Sequence, residues 1–195
     1  MATDAMKLAL EDDSSETKMY YQNLFAGHQN KEVLGTITDV LNAWSKVVRT
    51  GAFATDTQAL FEEALRHSHE YVWYEAGSRL ARLIPYREEA EAIFKRVLND
   101  RKWQSRFNVV ACSHPFDPAL AHHVLKEAIN DRSSKVREKV ADAVLKRQDR
   151  QLLGILRDRL KVEKSARVID AINFALEHFD SVQVNEDGSL VFSST

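Results

Sequence analysis

One cysteine, three prolines and six glycines in 195 residues narrow the possibilities before any motif is considered. Cys112 has no partner for an internal disulfide, which excludes a stapled scaffold and fits a reducing compartment. So few helix breakers suit a mostly helical chain without long linkers. No apolar run approaches the length of a membrane span, and Glu11-Asp12-Asp13 does not follow a signal-peptide pattern. The expected location is therefore the cytoplasm, with no membrane partner. Neither charge dominates, with 27 Lys and Arg against 29 Asp and Glu, a net charge of −2. Catalytic and cofactor signatures are also missing: there is no P-loop, glycine-rich dinucleotide turn, Cys-x-x-Cys pair or His-Glu-x-x-His helix. No catalytic residue, metal ligand or cofactor is assigned.

What is present is a recurring apolar quartet. On a helix, positions i, i+3, i+4 and i+7 share a face. One series reads Leu60/Phe61/Ala64/Leu65, Ile93/Phe94/Val97/Leu98, Val124/Leu125/Ala128/Ile129 and Ile155/Leu156/Leu160, with Arg159 breaking the last set. A second reads Trp73/Gly77/Leu80/Ala81, Trp103/Phe107/Val110/Ala111, Val136/Val140/Ala143/Val144 and Val168/Ile172/Ala175/Leu176. The heads of the first series, Leu60, Ile93, Val124 and Ile155, and those of the second, Trp73, Trp103, Val136 and Val168, recur at a nearly constant interval that fits one two-helix unit per period. Neither helix buries its stripe alone, so neighbouring units are expected to stack.

Two segments sharpen this. Asp100-Arg101-Lys102-Trp103-Gln104-Ser105-Arg106 and Asp131-Arg132-Ser133-Ser134-Lys135-Val136-Arg137 each place an Asp in a turn six residues before an Arg in the next helix. From about Gln58 to Phe179 the chain resembles the short HEAT-like helical repeats, in which that pair forms a ladder between neighbouring repeats. The resemblance implies an all-α, right-handed α-solenoid of about four HEAT-like two-helix repeats. It departs where Lys161 stands six residues before Arg167, and where Tyr74 replaces the Arg of the first unit. The ladder is accordingly expected to be incomplete at both ends, and the period is shorter than usual for HEAT and armadillo units.

The flanking segments complete the expected organisation. Residues 1–15 are expected to be a mobile N-terminus, although Met6, Leu8 and Leu10 offer apolar groups to extend the cap. Residues 16–55 form an N-terminal helical cap. In it, a helix over Thr17–Ala26 carries Tyr20, Tyr21, Leu24 and Phe25 before Gly27. A longer helix over Lys31–Arg49 carries Val33, Ile37, Val40, Leu41, Trp44 and Val48 and stops at Thr50-Gly51. Residues 56–179 hold the repeats and 180–195 a C-terminal hairpin or extended tail, in which Val182 and Val184, then Leu190 and Phe192, alternate as in a short hairpin around the turn Asn185-Glu186-Asp187-Gly188. Such a hairpin needs the last helix or a partner to order it.

Charge is unevenly spread. Six cations face twelve carboxylates over Met1–Ser78, twenty-one face twelve over Arg79–Arg167, and none face five over Val168–Thr195, giving −6, +9 and −5. The second and sixth positions past the first quartet residue point away from the stripe. They hold Glu62/Arg66, Lys95/Asn99, Lys126/Asn130 and Arg157/Lys161. The resemblance implies that these helices line the concave face, so Lys95, Asn99, Lys126, Asn130, Arg157 and Lys161, with His122 one turn before Lys126, are the expected partner-binding residues. Ordinary solvated charge is the competing reading.

Other residues read as structural. His122 and His123 point about 100° apart on a helix and cannot share an ion without further ligands. His67 and His69, in a turn beside Glu70, likewise lack a third ligand. In His114-Pro115-Phe116-Asp117-Pro118, Asp117 reads as a helix cap, Pro118 as the first helical residue and Phe116 as a staple. Trp73 and Trp103 head core stripes, and Cys112 reads as a small buried thiol. The function expected first is a non-catalytic adaptor, inhibitor or immunity-type module gripping another protein. A HEAT-like DNA-binding protein similar to the alkylation-repair glycosylases is the alternative, although that family's Trp/Asp/Arg pocket has no match here. A subunit of the phycobilin-lyase repeat type ranks third.

Overall fold

A computed structural model describes residues 10–26, 30–185 and 189–192. Met6, Leu8, Gly27 and the hairpin turn at 186–188 lie outside the described residues. Described elements are almost entirely helical, with one two-stranded antiparallel sheet. The chain divides into two compact units, 1–97 and 98–195.

In the first unit, α1 (Ser14–Leu24), α2 (Lys31–Thr50), α3 (Thr55–Leu65), α4 (Glu70–Leu83) and α5 (Glu88–Leu98, whose last residue belongs to the second unit) follow one another. Helix α2 buries Ile37, Val40, Leu41, Trp44, Val47 and Val48, the face that its 3.6-residue pattern prescribes. It ends where Gly51 takes the left-handed conformation (φ 74°) and its N–H donates to the Val47 carbonyl at 2.8 Å. Trp44 is fully buried, with the guanidinium carbons of Arg79 and Arg82 5.4 and 4.7 Å from its ring centroid. Asp12 and Asp13, from the segment preceding the cap, make contacts here. The Asp13 carboxylate pairs with Arg79 and Arg82, and Asp12 Oδ2 accepts from Ser45 at 2.6 Å.

The second unit runs through α6 (Trp103–Ala111), α7 (Pro118–Ala128), α8 (Ser134–Arg147), a 3₁₀ turn at Arg150–Leu152, α9 (Leu153–Leu160) and α10 (Ala166–His178). It ends in β1 (Val182–Val184) and β2 (Leu190–Phe192), paired Val182↔Phe192, Gln183↔Val191 and Val184↔Leu190. Helix α8 occupies the middle and lies against both α6 and α10, the most extensive helix approaches of this unit; α7 and α9 do not approach each other comparably. Asp117 caps α7, its Oδ1 accepting from the N–H groups of Ala119 and Leu120, with Pro118 in the first turn and Phe116 buried. Arg147, at the end of α8, donates to the carbonyls of Ser113, His114 and Phe116 and so ties down the α6–α7 loop.

A ladder of buried charges links the turns of this unit. Arg106 (α6) grips both carboxylate oxygens of Asp131 at 2.5 and 2.8 Å and donates to the carbonyls of Asp100 and Arg101. Arg137 (α8) repeats the arrangement, donating to the Asp131 carbonyl and, at 2.7 and 2.8 Å, to both oxygens of Glu163. The second rung corrects the expectation of a ladder ending early. Its acceptor is Glu163, two residues before Ser165 as Asp131 is two before Ser133, and each accepts that serine's backbone N–H. Arg167 plays no part in it and is 71% exposed. In the first unit Tyr74, expected in place of the arginine, is exposed, while its neighbour Glu75 is buried and accepts from the Tyr21 hydroxyl at 2.9 Å and from Arg79 at 3.3 Å.

The ladder also explains two other departures. Arg159, which breaks the apolar set on α9, reaches one turn on to Glu163 at 2.8 Å, so its polar head is satisfied at the edge of the core. Burying Arg106 turns α6 so that Ser105, Arg106, Asn108, Val109 and Val110 face inward. Trp103 is thereby carried to the margin, 36% exposed, instead of heading a core stripe. In α4 the buried face likewise centres on Val72, Ala76, Leu80 and Leu83, leaving Trp73 half-buried.

Candidate partner-binding faces

The sequence-derived residues are divided between the two units. Lys95, in the first unit, is exposed and its Nζ lies 2.6 Å from Glu91 Oε1, an i,i+4 pair on the same helix. Asn99 is exposed at the start of the second unit. Lys126 and Asn130 do come together with α9, lining a cleft of about 340 Å3 with Ile155, Asp158, Arg159 and the exposed Val162. Arg157 and Lys161 are exposed but are not part of that lining, and Lys161 pairs with Asp158 at 2.7 Å.

His122 faces inward. Its Nε2 lies 2.8 Å from Asp149 Oδ2, while Asp149 Oδ1 accepts from the Gln151 N–H and starts the 3₁₀ turn. The hydrogen bond from His122, helped by that amide and opposed by burial, holds the Asp149 carboxyl below its usual range. This arrangement splices α7 to the α8–α9 connection. His123 sits 3.5 Å from Glu127 on the other side of α7, so the two imidazoles diverge. Among the described residues no group of His, Cys, Asp and Glu is arranged to hold a metal ion, and no helix is long and apolar enough to cross a membrane.

A second face, on the row of α6, α8 and α10, was not singled out in the sequence. Trp103, Gln104 and Phe107 from α6, Lys135, Glu138, Lys139 and Asp142 from α8, and Arg167 from α10 line a depression of about 560 Å3. The indole and phenyl rings meet edge-to-face with centroids 6.1 Å apart. Lys135 Nζ lies 4.3 Å above the Trp103 ring and Lys139 Nζ 5.7 Å above that of Phe107, geometry in which a cation is attracted to the negative face of the ring. Arg167 pairs with Glu138 and Lys139 with Asp142, each at 2.6 Å.

A sequence signal for this face existed. Trp103, Lys135 and Arg167 follow one another at a single fixed interval, one repeat period, and Phe107 and Lys139 are separated by the same interval. Positions at equal spacing on successive helices therefore line one depression, whereas the apolar quartets assign Trp103 and Phe107 to the core.

The residues buried beside these faces are not reactive ones. Burial pushes the Cys112 thiol up to about 12, which removes it as a nucleophile near neutral pH. The hydrogen bonds from Arg137, opposed by burial and reinforced by Arg159 and two backbone amides, keep Glu163 far below the usual carboxylate range. No protein-family model matches the chain, and no curated protein shows significant similarity to it.

Proposed function

We propose that the chain is a non-catalytic helical-repeat binding module, similar to HEAT-like scaffolds, that grips an acidic segment of a partner protein on the exposed face of α6, α8 and α10. The observation that carries this reading is the pair of columns Trp103–Lys135–Arg167 and Phe107–Lys139, in which the two rings of α6 line up with cations of α8 and α10 along one depression. The turn-to-turn ladder through Arg106, Asp131, Arg137 and Glu163 supports a repeat scaffold, since within the second unit it links successive turns by like bonds. In a curved stack the inner helices approach more closely than the outer ones. The close row of α6, α8 and α10 therefore supports assigning the concave side to these helices rather than to α7 and α9. Aromatic side chains and arginine are enriched among the residues that anchor protein interfaces, and Trp103, Phe107 and Arg167 are of those kinds.

A photo-crosslinking residue at Gln104, compared with one at Lys126, tests this in cells of the native host. The expected result is a protein adduct from position 104 that disappears in Lys135→Glu/Lys139→Glu. An adduct from position 126 alone would place the partner on α7 and α9. Nucleic acid is the second reading, favoured by the same aromatic–cation columns. It predicts that duplex DNA quenches Trp103 fluorescence and that this quenching weakens steeply between about 50 and 200 mM salt. Such a result, without a protein adduct, would replace the proposed partner.

A further inference from the structure

The first unit holds a second recognition feature of different chemistry. Tyr20 and Tyr21 from α1 and Glu70, Tyr71, Trp73, Tyr74 and Glu75 from α4 enclose an open cavity of about 460 Å3. Its rings meet as walls rather than as a stack: Tyr20 stands at 75° to Tyr21, Tyr21 at 61° to Tyr71, and Trp73 at 71° to Tyr74, with centroids 5.1 to 6.3 Å apart. Tyr20 and Tyr74 are more than half exposed, so ring surface faces the opening. The floor is anionic. Glu75 is buried with one oxygen held by the Tyr21 hydroxyl and the other turned to Arg79, and this fixes both Tyr21 and the carboxylate in place. At the rim, Glu70 is exposed and has no ion-pair partner among the described residues. The lining contains two carboxylates and no cation.

Ring faces at steep angles around an opening, with negative charge beneath and beside them, disfavour an anion and attract a soft cation. A strongly hydrated ammonium loses much of its hydration on entering such a space. An alkylated one loses little and touches several rings at once. We infer that this cavity binds an alkylated ammonium head group, with Tyr20, Tyr71, Trp73 and Tyr74 as its walls and Glu70 as the anion at its mouth. The cavity lies wholly in the first unit and does not rest on the partner face assigned to α6, α8 and α10.

The test uses the full chain and follows the indole N–H resonance of Trp73 during titration with choline. A saturable shift is expected. Choline's neutral carbon isostere, in which carbon replaces the quaternary nitrogen, should bind roughly tenfold more weakly, the ratio expected of a cation–π site at this exposure. Glu70→Gln and Tyr74→Ala should each weaken choline binding several-fold; both residues lie at the surface, and the dispersion of the same spectra reports that each variant is folded. A trimethyllysine-containing peptide in a parallel arm distinguishes the carriers. Tighter binding of the peptide assigns a methylated protein side chain, and tighter binding of choline a free small molecule. Equal affinity for the neutral isostere, no saturable shift, or a shift unchanged in both variants would overturn the assignment.

Discussion

Replacing Arg137 by Met tests the ladder at its most buried rung. The methionine keeps the aliphatic bulk but removes three hydrogen bonds, two to Glu163 and one to the Asp131 carbonyl. Glu163, whose side chain is 1% exposed, is left with Arg159 and the amides of Lys164 and Ser165 as donors. Breaking a buried ion pair by removing one partner costs about 3–5 kcal/mol. The surviving donors put this case at the lower end, about 3 kcal/mol, corresponding to a fall of roughly 6–12 °C in Tm for a chain of this size. Urea unfolding followed by circular dichroism measures the loss, and amide hydrogen exchange in α8 and α10, compared with α2, locates it in the second unit. Adding Glu163→Gln removes the stranded charge, so the double variant should be less unstable than the sum of the two single variants by about 1–2 kcal/mol. A change below about 0.5 kcal/mol for Arg137→Met, or one spread evenly over both units, would refute the reasoning.

Other expectations follow from single groups. Because Glu163 is held far below its ordinary value of about 4.3, its contribution is complete above that value and is lost as pH falls beneath it. Acid unfolding curves should therefore be shallower between about pH 4 and pH 2 for Glu163→Gln than for the native chain. Asp117→Ala frees two N–H groups at the start of α7 and should cost about 1 kcal/mol in urea unfolding. The left-handed Gly51 predicts that Gly51→Ala destabilises by about 1 kcal/mol, since the added Cβ makes that conformation strained. Cys112 should react with a thiol reagent at pH 8 only as fast as the chain opens, so its rate should rise with urea in step with unfolding.

The helices were legible because burying one face of each leaves a periodic trace in the sequence. The long stripe of α2, the Gly51 stop, the Asp117 cap and the two short strands all follow from local rules that no tertiary contact overrides here. Their rotation was harder to read. Trp103 looks like a core residue by hydropathy, but the buried guanidinium three positions on decides which way α6 faces, and the energy of that choice lies in Asp131, a full helix pair away from Arg106 in sequence. Glu163 was missed as the second rung because fixed spacing from Arg167 pointed to Lys161. The true relation is to the serine two residues on, a backbone bond that sequence spacing alone does not reveal. Residue types at Lys126 and Asn130 suggest a shared surface, and they do share a cleft, whose lining does not include the exposed Arg157 and Lys161.

Five donors converge on the Glu163 carboxylate, two from Arg137, one from Arg159 and two from the main chain of the following turn. Helices at the end of a row have a neighbour on one side only and open most readily. Here that vulnerable end is riveted: the Glu163 side chain clasps α8, the end of α9 and the approach to α10 together. Peeling from the C-terminal side then has to release all of these holds at once, and α10 should leave as a block rather than residue by residue.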